Sequence, residues 1–223
     1  PIRSVDRRGK YIVIKLDPDT LIIHLKMTGR LYVVPDDATD HADRWVHFLF
    51  QLDNAHQLRF SDSRKFGRVY LVDDPAEVLG RLGPEPLADD FTLDAFRACF
   101  ARRKGALKPL LLNQAIVAGV GNIYADEALY RARLHPLRRA DTLTDDELVA
   151  LYTALRQVLA DGITREGASV NWYRKPDGTK GNAQTGLQVY GHAGEPCPRC
   201  GTPILKTVVG QRGTHLCPAC QIP

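Results

Sequence analysis

The hydrophobic pattern of the chain changes near residue 82. Before that point, short apolar runs alternate with turn residues such as Asp17-Pro18-Asp19-Thr20, and from residue 46 to residue 52 apolar side chains alternate with polar or smaller ones. Runs of this length with period two predict β-strands, and their number favours a β-sandwich or barrel. The predicted strands are residues 11–16, 21–25, 46–52, 57–60 and 68–72.

Residues 92–164 follow a helical period instead. Thr144 and Glu147 have the spacing of a capping box, and an apolar stripe at helical intervals comes after them. We expect this stripe to be buried; its members are Leu148, Leu151, Tyr152, Leu155, Val158 and Leu159. The polar, glycine-containing residues 165–182 predict an exposed loop, and Leu187–Tyr190 predicts one further strand.

The composition is that of a globular protein, since 44% of the 223 residues are hydrophobic and 25% are charged. No apolar run approaches the length of a membrane span, which argues against a membrane protein. The net charge of +4 lies wholly in residues 174–223, which carry six basic and two acidic side chains, whereas residues 1–173 carry 24 of each. This basic segment is either a binding surface for a polyanion or a solvated tail.

Four of the five cysteines form two CxxC pairs, Cys197 with Cys200 and Cys217 with Cys220, and sixteen residues separate the pairs. Two such pairs can complete a tetrahedral zinc site. Two disulfides in a secreted protein are the alternative. However, Cys99 has no partner and the first residues do not resemble a signal peptide, so we expect a reducing compartment and one structural zinc.

A glycine-containing turn, Gly119-Val120-Gly121-Asn122, lies between two helical stretches. The glycines allow a tight turn, and Asn122 is the predicted N-cap of the helix that follows. Free backbone amides at a helix start can bind an anion such as a DNA phosphate, although most turns of this kind only join two helices.

This turn belongs to a set of motifs that resembles the formamidopyrimidine-DNA glycosylase family. Gly119–Glu127 is similar to the family's helix–two-turn–helix. The other similar segments follow in family order and, with the cysteine pairs, span essentially the whole chain: Arg8–Tyr11, His24–Gly29, Asp62–Gly67, Leu82–Leu87, Leu187–Gly191 and Gln211–Thr214.

The resemblance implies an α+β multidomain fold. Its expected parts are an incomplete N-terminal β-sandwich over residues 1–82, a helix–two-turn–helix DNA-binding domain over 83–170, a lesion-recognition loop over 171–186 and a zinc-finger β-hairpin over 187–223. It also implies a monomeric enzyme of the bacterial cytoplasm that binds double-stranded DNA with oxidised bases. Such an enzyme excises oxidised purines, among them 8-oxoguanine and formamidopyrimidines, and nicks the abasic site by β,δ-elimination.

Several residues match functional positions of the family. Lys10 matches the lysine assigned to β-elimination, and Arg212 matches the arginine assigned to δ-elimination and phosphate binding. By residue type alone, both would be solvated surface groups. Met27, Arg64 and Phe66 match the residues that fill the gap left by an extruded lesion, although Met27 and Phe66 could instead be core residues. Further DNA contacts are implied for Arg103, Lys104, Lys108 and Asn122.

One family contact has no clear counterpart. The histidine that touches DNA ahead of the strand at Val46 is replaced by Asp43 or Trp45, and His41 lies two residues from Asp43.

The N-terminal proline does not match the family's nucleophile. Family members begin Pro-Glu-Leu-Pro-Glu, and their N-terminal amine attacks the sugar. Here Pro1 is followed by Ile2-Arg3-Ser4, and Lys10 comes only nine residues later. The resemblance therefore implies that Pro1 matches an internal position and that the family's N-terminal helix, first strands and catalytic amine are missing. We expect this polypeptide to be inactive alone, whether the shortening is natural, proteolytic or deliberate.

Two other functions stay open on the sequence. One is a non-catalytic protein that binds damaged DNA, and the other is a member of the sister endonuclease VIII branch, which removes oxidised pyrimidines. The run Gly121–Glu127 favours the purine branch, whereas residues 168–186 contain no motif that decides the lesion preference.

Overall fold

The computed structural model describes residues 1–38, 44–170 and 173–223. The chain forms two compact units. The first, here called the β unit, comprises Pro1–Gly80 and Arg165–Gln184; the second, the helical unit, comprises Arg81–Thr164 and Thr185–Pro223. The β unit includes the predicted loop 165–182, whose described residues contain no helix or strand.

The β unit contains two antiparallel sheets. Its elements in chain order are β1 (Ser4–Arg8), β2 (Tyr11–Lys15), β3 (Thr20–His24), β4 (Gly29–Pro35), β5 (Val46–Gln51), β6 (His56–Asp62), β7 (Arg68–Val72) and the short helix α1 (Ala76–Leu79). One sheet has the order β1-β2-β3-β7 and the other β4-β6-β5. Ile14, Leu21 and Ile23 from the first sheet and Phe60 from the second form a common buried cluster.

All five segments predicted as strands in the β unit form strands, but two further strands were not predicted. Strands β2, β3, β6 and β7 fall where apolar runs predict them, whereas β1 and β4 have no clear apolar alternation and were not predicted. The alternation over residues 46–52 does give β5, but it does not give a fully buried face, because Phe48 remains 50% exposed. A register shift between Val46 and Phe48 interrupts the regular pairing of this strand with β6.

The helical unit has four longer helices and a cysteine-bearing hairpin. Its elements are α2 (Leu93–Phe100), α3 (Leu107–Leu112), α4 (Asn122–Arg131), α5 (Asp145–Thr164), β8 (Leu205–Val209) and β9 (Arg212–Leu216). The capping box is confirmed, since the Thr144 amide donates to Glu147 Oε2 and the Glu147 amide donates to Thr144 Oγ1. The predicted stripe of α5 packs into the helical core, with Leu151, Leu155 and Val158 fully buried.

Helices α4 and α5 approach each other closely where α5 lacks a side chain. A Cβ atom on Gly162 would lie 2.3 Å from the hydroxyl oxygen of Tyr124, so any larger residue there would displace the Tyr124 ring. No helix among the described residues is long and apolar enough to cross a bilayer.

The strand predicted at Leu187–Tyr190 does not form. Val189 is fully buried, which explains its apolar character, but the segment has turn geometry. The amides of residues 188, 189 and 190 each donate to the Glu127 carboxylate at 2.9 Å. Because one buried carboxylate satisfies these three donors, no neighbouring strand is needed.

Candidate nucleic-acid interface and metal centre

The four paired cysteines of the helical unit converge on one point. All four Sγ atoms lie within 4.8 Å of one another. The Sγ–Sγ distances are 3.4 Å from Cys200 to Cys220, 3.5 Å from Cys200 to Cys217 and 4.0 Å from Cys197 to Cys220. Tetrahedral zinc with Zn–S bonds of about 2.3 Å separates its sulfurs by about 3.8 Å, so the four thiolates fit zinc. None of the five cysteines is in a disulfide.

Each cysteine pair is closed by local hydrogen bonds. In the first pair, the Gly201 amide donates to the Cys197 carbonyl at 2.8 Å and the Arg199 amide donates to Cys197 Sγ at 3.4 Å. In the second, the Cys217 amide donates to Oε1 of Gln221, a fully buried residue whose Nε2 donates to the carbonyl of Leu134. The Gln221 side chain therefore ties the second cysteine pair to Leu134, in the segment that follows α4.

Lys108, which the family resemblance places at the DNA surface, is instead fully buried. Its Nζ lies 2.6 Å from Asp126 Oδ1 and donates to Thr214 Oγ1 at 2.7 Å and to the Gly213 carbonyl at 3.0 Å. Two of the three ammonium donors therefore make hydrogen bonds, and the ammonium charge is paired with the Asp126 carboxylate. The prediction of a direct DNA contact is therefore corrected: Lys108 joins α3, α4 and β9 from inside.

The ion pair of Lys108 and Asp126 lies out of reach of water. Burial lowers the pKa of Lys108, which the Asp126 charge opposes. Burial likewise raises the pKa of Asp126 to about 6, and the Lys108 charge and the His215 amide oppose that shift. The His215 amide donates to Asp126 Oδ2 at 2.9 Å, so the same carboxylate also holds the backbone of β9.

The start of α4 differs by one residue from the prediction. Gly121 is the N-cap, with extended backbone (φ −110°, ψ 172°), and its carbonyl accepts from the Ala125 amide at 2.9 Å. Asn122 is the first helical residue, and its Nδ2 donates to the Gly213 carbonyl at 2.9 Å. A cap side chain is unnecessary here because glycine adopts the cap conformation and Asn122 binds the hairpin instead.

Two features place polar groups beside this helix start. The side-chain oxygen of Asn122 is buried without a hydrogen-bond partner among the described residues. Arg212, the neighbour of Gly213, is exposed at the start of β9. Because Asn122 contacts Gly213, the helix start and the arginine belong to one surface of the helical unit.

Arg103 and Lys104 are both exposed in the turn that follows α2. Arg102 has a positive φ of 62°, which reverses the chain at this turn. The Arg103 side chain is partly fixed, since its Nε donates to the carbonyl of Cys99 at 2.8 Å. The turn thus presents two cations to solvent.

In the β unit, the three predicted gap-filling residues are all exposed. Met27 is 62% exposed and Phe66 is 54% exposed, so neither is a core residue. The Arg64 guanidinium lies 5.3 Å from the centre of the Phe66 ring. Met27 lies between β3 and β4, which belong to different sheets, so its turn connects the two sheets.

A buried aspartate fixes two turns, the one that carries Met27 and the one that carries Arg64 and Phe66. Asp62, at the end of β6, is 1% exposed. It accepts hydrogen bonds from the Thr28 hydroxyl, from the Gly67 amide at 2.7 Å and from the Arg64 amide at 3.3 Å. Burial alone would raise the pKa of Asp62, but hydrogen bonds from Thr28 and from backbone amides, including that of Phe66, hold it below its ordinary value. The ionised carboxylate therefore fixes the turns that carry Met27 and Phe66.

Lys10 occupies the two-residue turn between β1 and β2, where Gly9 has a φ of 57° and Lys10 is exposed. The strand pairing places Tyr11 opposite His24, whose ring lies 4.6 Å from the Tyr11 ring, edge to face. Burial and the charges of Lys26 and Lys10 lower the pKa of His24 to about 4. The imidazole is therefore neutral at physiological pH, and its Nδ1 accepts from the Lys26 amide at 2.9 Å.

Sequence reasoning gave no role to four residues that organise these sites: Asp62, Asp126, Glu127 and Tyr130. The sequence does contain one hint for Asp126 and Glu127, because these two acidic residues stand between alanines. In the structure, this part of α4 is buried over six consecutive residues. Asp62 begins the family-like segment Asp62–Gly67, but nothing in its sequence neighbourhood indicated that it is buried. The contacting histidine stays unassigned, because Asp43 and His41 lie outside the described residues and Trp45 is 39% exposed.

Comparisons with known proteins agree with this architecture. Residues 1–69 match the formamidopyrimidine-DNA glycosylase N-terminal domain, residues 82–174 its H2TH domain, and residues 194–222 the zinc finger found in FPG and IleRS. A formamidopyrimidine-DNA glycosylase of Herpetosiphon aurantiacus is 51% identical over 223 residues, which cover 99% of this chain and 81% of that protein.

Solved structures lead to the same assignment. The MutM (Fpg) protein of Thermus thermophilus superposes with a TM-score of 0.90 at 44% identity, covering 99% of this chain and 82% of that chain. A Lactococcus lactis Fpg complex with Fapy-dG-containing DNA gives 0.89 at 36% identity, covering 100% and 82%.

The β domain, the helix–two-turn–helix and the zinc finger together define a DNA-binding repair glycosylase with one structural zinc. The chain belongs to the formamidopyrimidine-DNA glycosylase family. The predicted fold class and zinc site are thereby confirmed.

Proposed function

We propose that this protein serves base-excision repair of oxidised purines, in a glycosylase reaction that also nicks the abasic site by β,δ-elimination but that this polypeptide does not complete alone. The observation that carries the proposal is the exposed pair Met27 and Phe66 on turns fixed by buried Asp62. Large apolar side chains held in solvent by a rigid support suit insertion into a base stack. Relatives named formamidopyrimidine-DNA glycosylase, and a solved Fpg complex with Fapy-dG-containing DNA, support the substrate class.

Extrusion of a lesion leaves a gap and an unpaired opposite base, which costs a few kcal/mol. We assign the filling of that gap to Met27 and Phe66, whose exposed surfaces lose contact with water when they insert. Arg64 stacks near Phe66 and has planar donors suited to the exposed edge of the unpaired base.

We assign the binding of DNA phosphates to the helical unit. Arg212, Arg103 and Lys104 present exposed cations, and the start of α4 presents backbone amides beside Asn122. Such groups bind any duplex and fix the register of the protein on it without reading sequence. Lys108 contributes only by holding Gly213, the residue after Arg212, in place.

In the proposed reaction, an amine attacks C1′ of the sugar, the bond from C1′ to the base breaks, and the base leaves with a proton. The C1′–O4′ bond then breaks, the proton of the amine passes to O4′, and the open-chain sugar is held as an iminium. The iminium acidifies C2′, and loss of a C2′ proton expels the 3′ phosphate. Loss of the C4′ proton then expels the 5′ phosphate by δ-elimination. Lys10 is assigned to β-elimination, and Arg212 to δ-elimination and phosphate binding. Because His24 beside Lys10 is neutral, it adds no third positive charge near Lys10 and Lys26.

The attacking amine is not assigned to Pro1. The Arg3 amide donates to the Lys15 carbonyl, so Pro1 lies at the end of the β1–β2 hairpin opposite Lys10. With a rise of about 3.3 Å per residue, this hairpin separates the two by on the order of 20 Å. This placement favours a second candidate function for the polypeptide alone, which is the binding of damaged DNA without cleavage.

Borohydride trapping on an 8-oxoguanine duplex tests the proposal. We expect no trapped complex from this polypeptide alone. A chimera carrying the residues that precede the matched region in the Herpetosiphon relative should give one. A band from the polypeptide alone, mapped to Pro1, would refute the assignment of the amine. Failure of both proteins to trap, with damaged-DNA binding retained, would favour the non-catalytic function.

A further inference from the structure

Tyr130 connects the helix–two-turn–helix to the metal centre. It lies in the last turn of α4 and is 3% exposed. Its hydroxyl oxygen is 3.3 Å from Cys197 Sγ, one of the four clustered metal-ligand sulfurs. Tyr130 also packs in a buried cluster with Val189, Ile204 and Cys217, so its ring lies in the same apolar cluster as two of the four metal-ligand cysteines, Cys197 and Cys217.

The chemistry of the site fixes the direction of this hydrogen bond. A cysteine that binds zinc does so as a thiolate, which has no proton to donate. The Tyr130 hydroxyl must therefore donate to Cys197 when metal is bound. The Arg199 amide, at 3.4 Å from the same sulfur, is a second donor. Two donors thus spread the charge of one buried thiolate.

Arg199 holds the Tyr130 ring in this orientation. Its guanidinium lies 4.4 Å from the ring centre, and its NH1 donates to the Tyr130 carbonyl at 3.1 Å. Arg199, which lies between Cys197 and Cys200, therefore contacts both the ring and the backbone of Tyr130 at the end of α4. Its own amide contacts Cys197 Sγ. The hydroxyl cannot leave the sulfur without disturbing these contacts.

We propose that Tyr130 is a positioning residue of the metal centre, which stabilises the Cys197 thiolate by donating a hydrogen bond and thereby retains zinc. Hydrogen bonds to metal ligands orient those ligands, and removing them typically lowers metal affinity about 10- to 100-fold. The contact also links metal retention to α4, the helix whose start bears Asn122. The inference concerns the metal alone and does not depend on the proposed enzymatic reaction.

Tyr130→Phe removes only the hydroxyl and leaves the packed ring in place. Tyr152→Phe is the matched control, because the Tyr152 hydroxyl donates at 2.7 Å to the Phe91 carbonyl and not to a sulfur. The first measurement is zinc transfer from each purified variant of the whole chain to an excess of chromogenic chelator. The second is the sulfur-to-metal charge-transfer band after replacement of zinc by cobalt(II), which reports directly on the electrons of the ligand sulfurs.

We expect Tyr130→Phe to lose zinc about 10- to 100-fold more readily than the wild type. Its cobalt charge-transfer band should move to lower energy, because a thiolate without its hydrogen bond gives up electrons more easily. Tyr152→Phe should match the wild type in both measurements. An unshifted cobalt band in Tyr130→Phe, or equally fast zinc loss from Tyr152→Phe, would overturn the inference. If Tyr130→Phe is purified without metal, cobalt titration of the refolded protein supplies both readouts.

Discussion

Replacing Lys108 by methionine should destabilise the protein strongly without removing a DNA contact. The methionine would keep an unbranched side chain in the same space but would leave the Asp126 carboxylate, which is 0% exposed, buried without its cation. Removal of one partner of a buried ion pair costs about 3–5 kcal/mol. The Gly213 carbonyl and the Thr214 hydroxyl lose a donor in the same change.

A double-mutant cycle isolates the ion pair. Asp126→Asn keeps an oxygen for the His215 amide but leaves the Lys108 charge unpaired, so it should cost a similar amount. The double variant has no unpaired buried charge, and coupling between contacting residues reaches about 0.5–3 kcal/mol. We therefore expect the double variant to cost about 2 kcal/mol less than the sum of the single changes. The assay is urea unfolding at neutral pH with zinc present, followed by far-ultraviolet circular dichroism. Additive costs would refute the pairing.

The same variant tests the correction that the structure makes to the role of Lys108. Each phosphate contact contributes about 0.9 to the slope of log affinity against log salt. Under conditions in which Lys108→Met is fully folded, its slope of log affinity against log salt on undamaged duplex should equal that of the wild type. A slope reduced by about 0.9 would mean that Lys108 touches phosphate after all.

Two further predictions concern exposed and half-buried charges. Arg212→Ala should weaken binding to damaged and undamaged duplex alike and lower the salt slope by about 0.9, measured by fluorescence anisotropy; a loss confined to one duplex would contradict a phosphate role. The pKa of His24 is about 4 when folded, below its ordinary value of 6.5, so the folded state binds fewer protons between these values. The free energy of unfolding should therefore fall by about 1–3 kcal/mol as pH drops from 6.5 to 4, and His24→Gln should flatten that part of the profile. If His24→Gln has the same dependence of unfolding free energy on pH as the wild type, a group other than His24 causes the loss of stability in acid.

Features set by neighbouring residues could be predicted from the sequence. The zinc ligands follow from two short cysteine spacings, and the start of α5 follows from Thr144 and Glu147, which satisfy each other across one turn. The exposure of Met27 and Phe66 agrees with their charged neighbours Lys26 and Lys65, since charged residues are rarely buried. Each of these inferences needs only a few adjacent positions.

Features that depend on tertiary packing could not be predicted in this way. Lysine is mostly exposed, and nothing local to Lys108 reveals that Asp126, on another helix, would accompany it into the interior. The apolar run Leu187–Tyr190 indicated a strand, but its amides bind Glu127, more than fifty residues earlier. Asn122 is a good N-cap by residue type, yet its contact with Gly213 moves the helix start to Gly121.

Recognition of a gap in DNA by the Met27 and Phe66 turns is tested most directly by a binding comparison. The two duplexes differ only at one position, where one has a stable abasic analogue opposite cytosine and the other an ordinary guanine. Phe48→Ala is the control for Phe66→Ala, because Phe48 is also an exposed phenylalanine of the β unit, 50% exposed against 54%. We expect the wild type and Phe48→Ala to prefer the abasic duplex at least about 10-fold, a difference of about 1.4 kcal/mol. Phe66→Ala should lose most of that preference while keeping its affinity for the intact duplex. Equal preference in all three proteins would contradict the account.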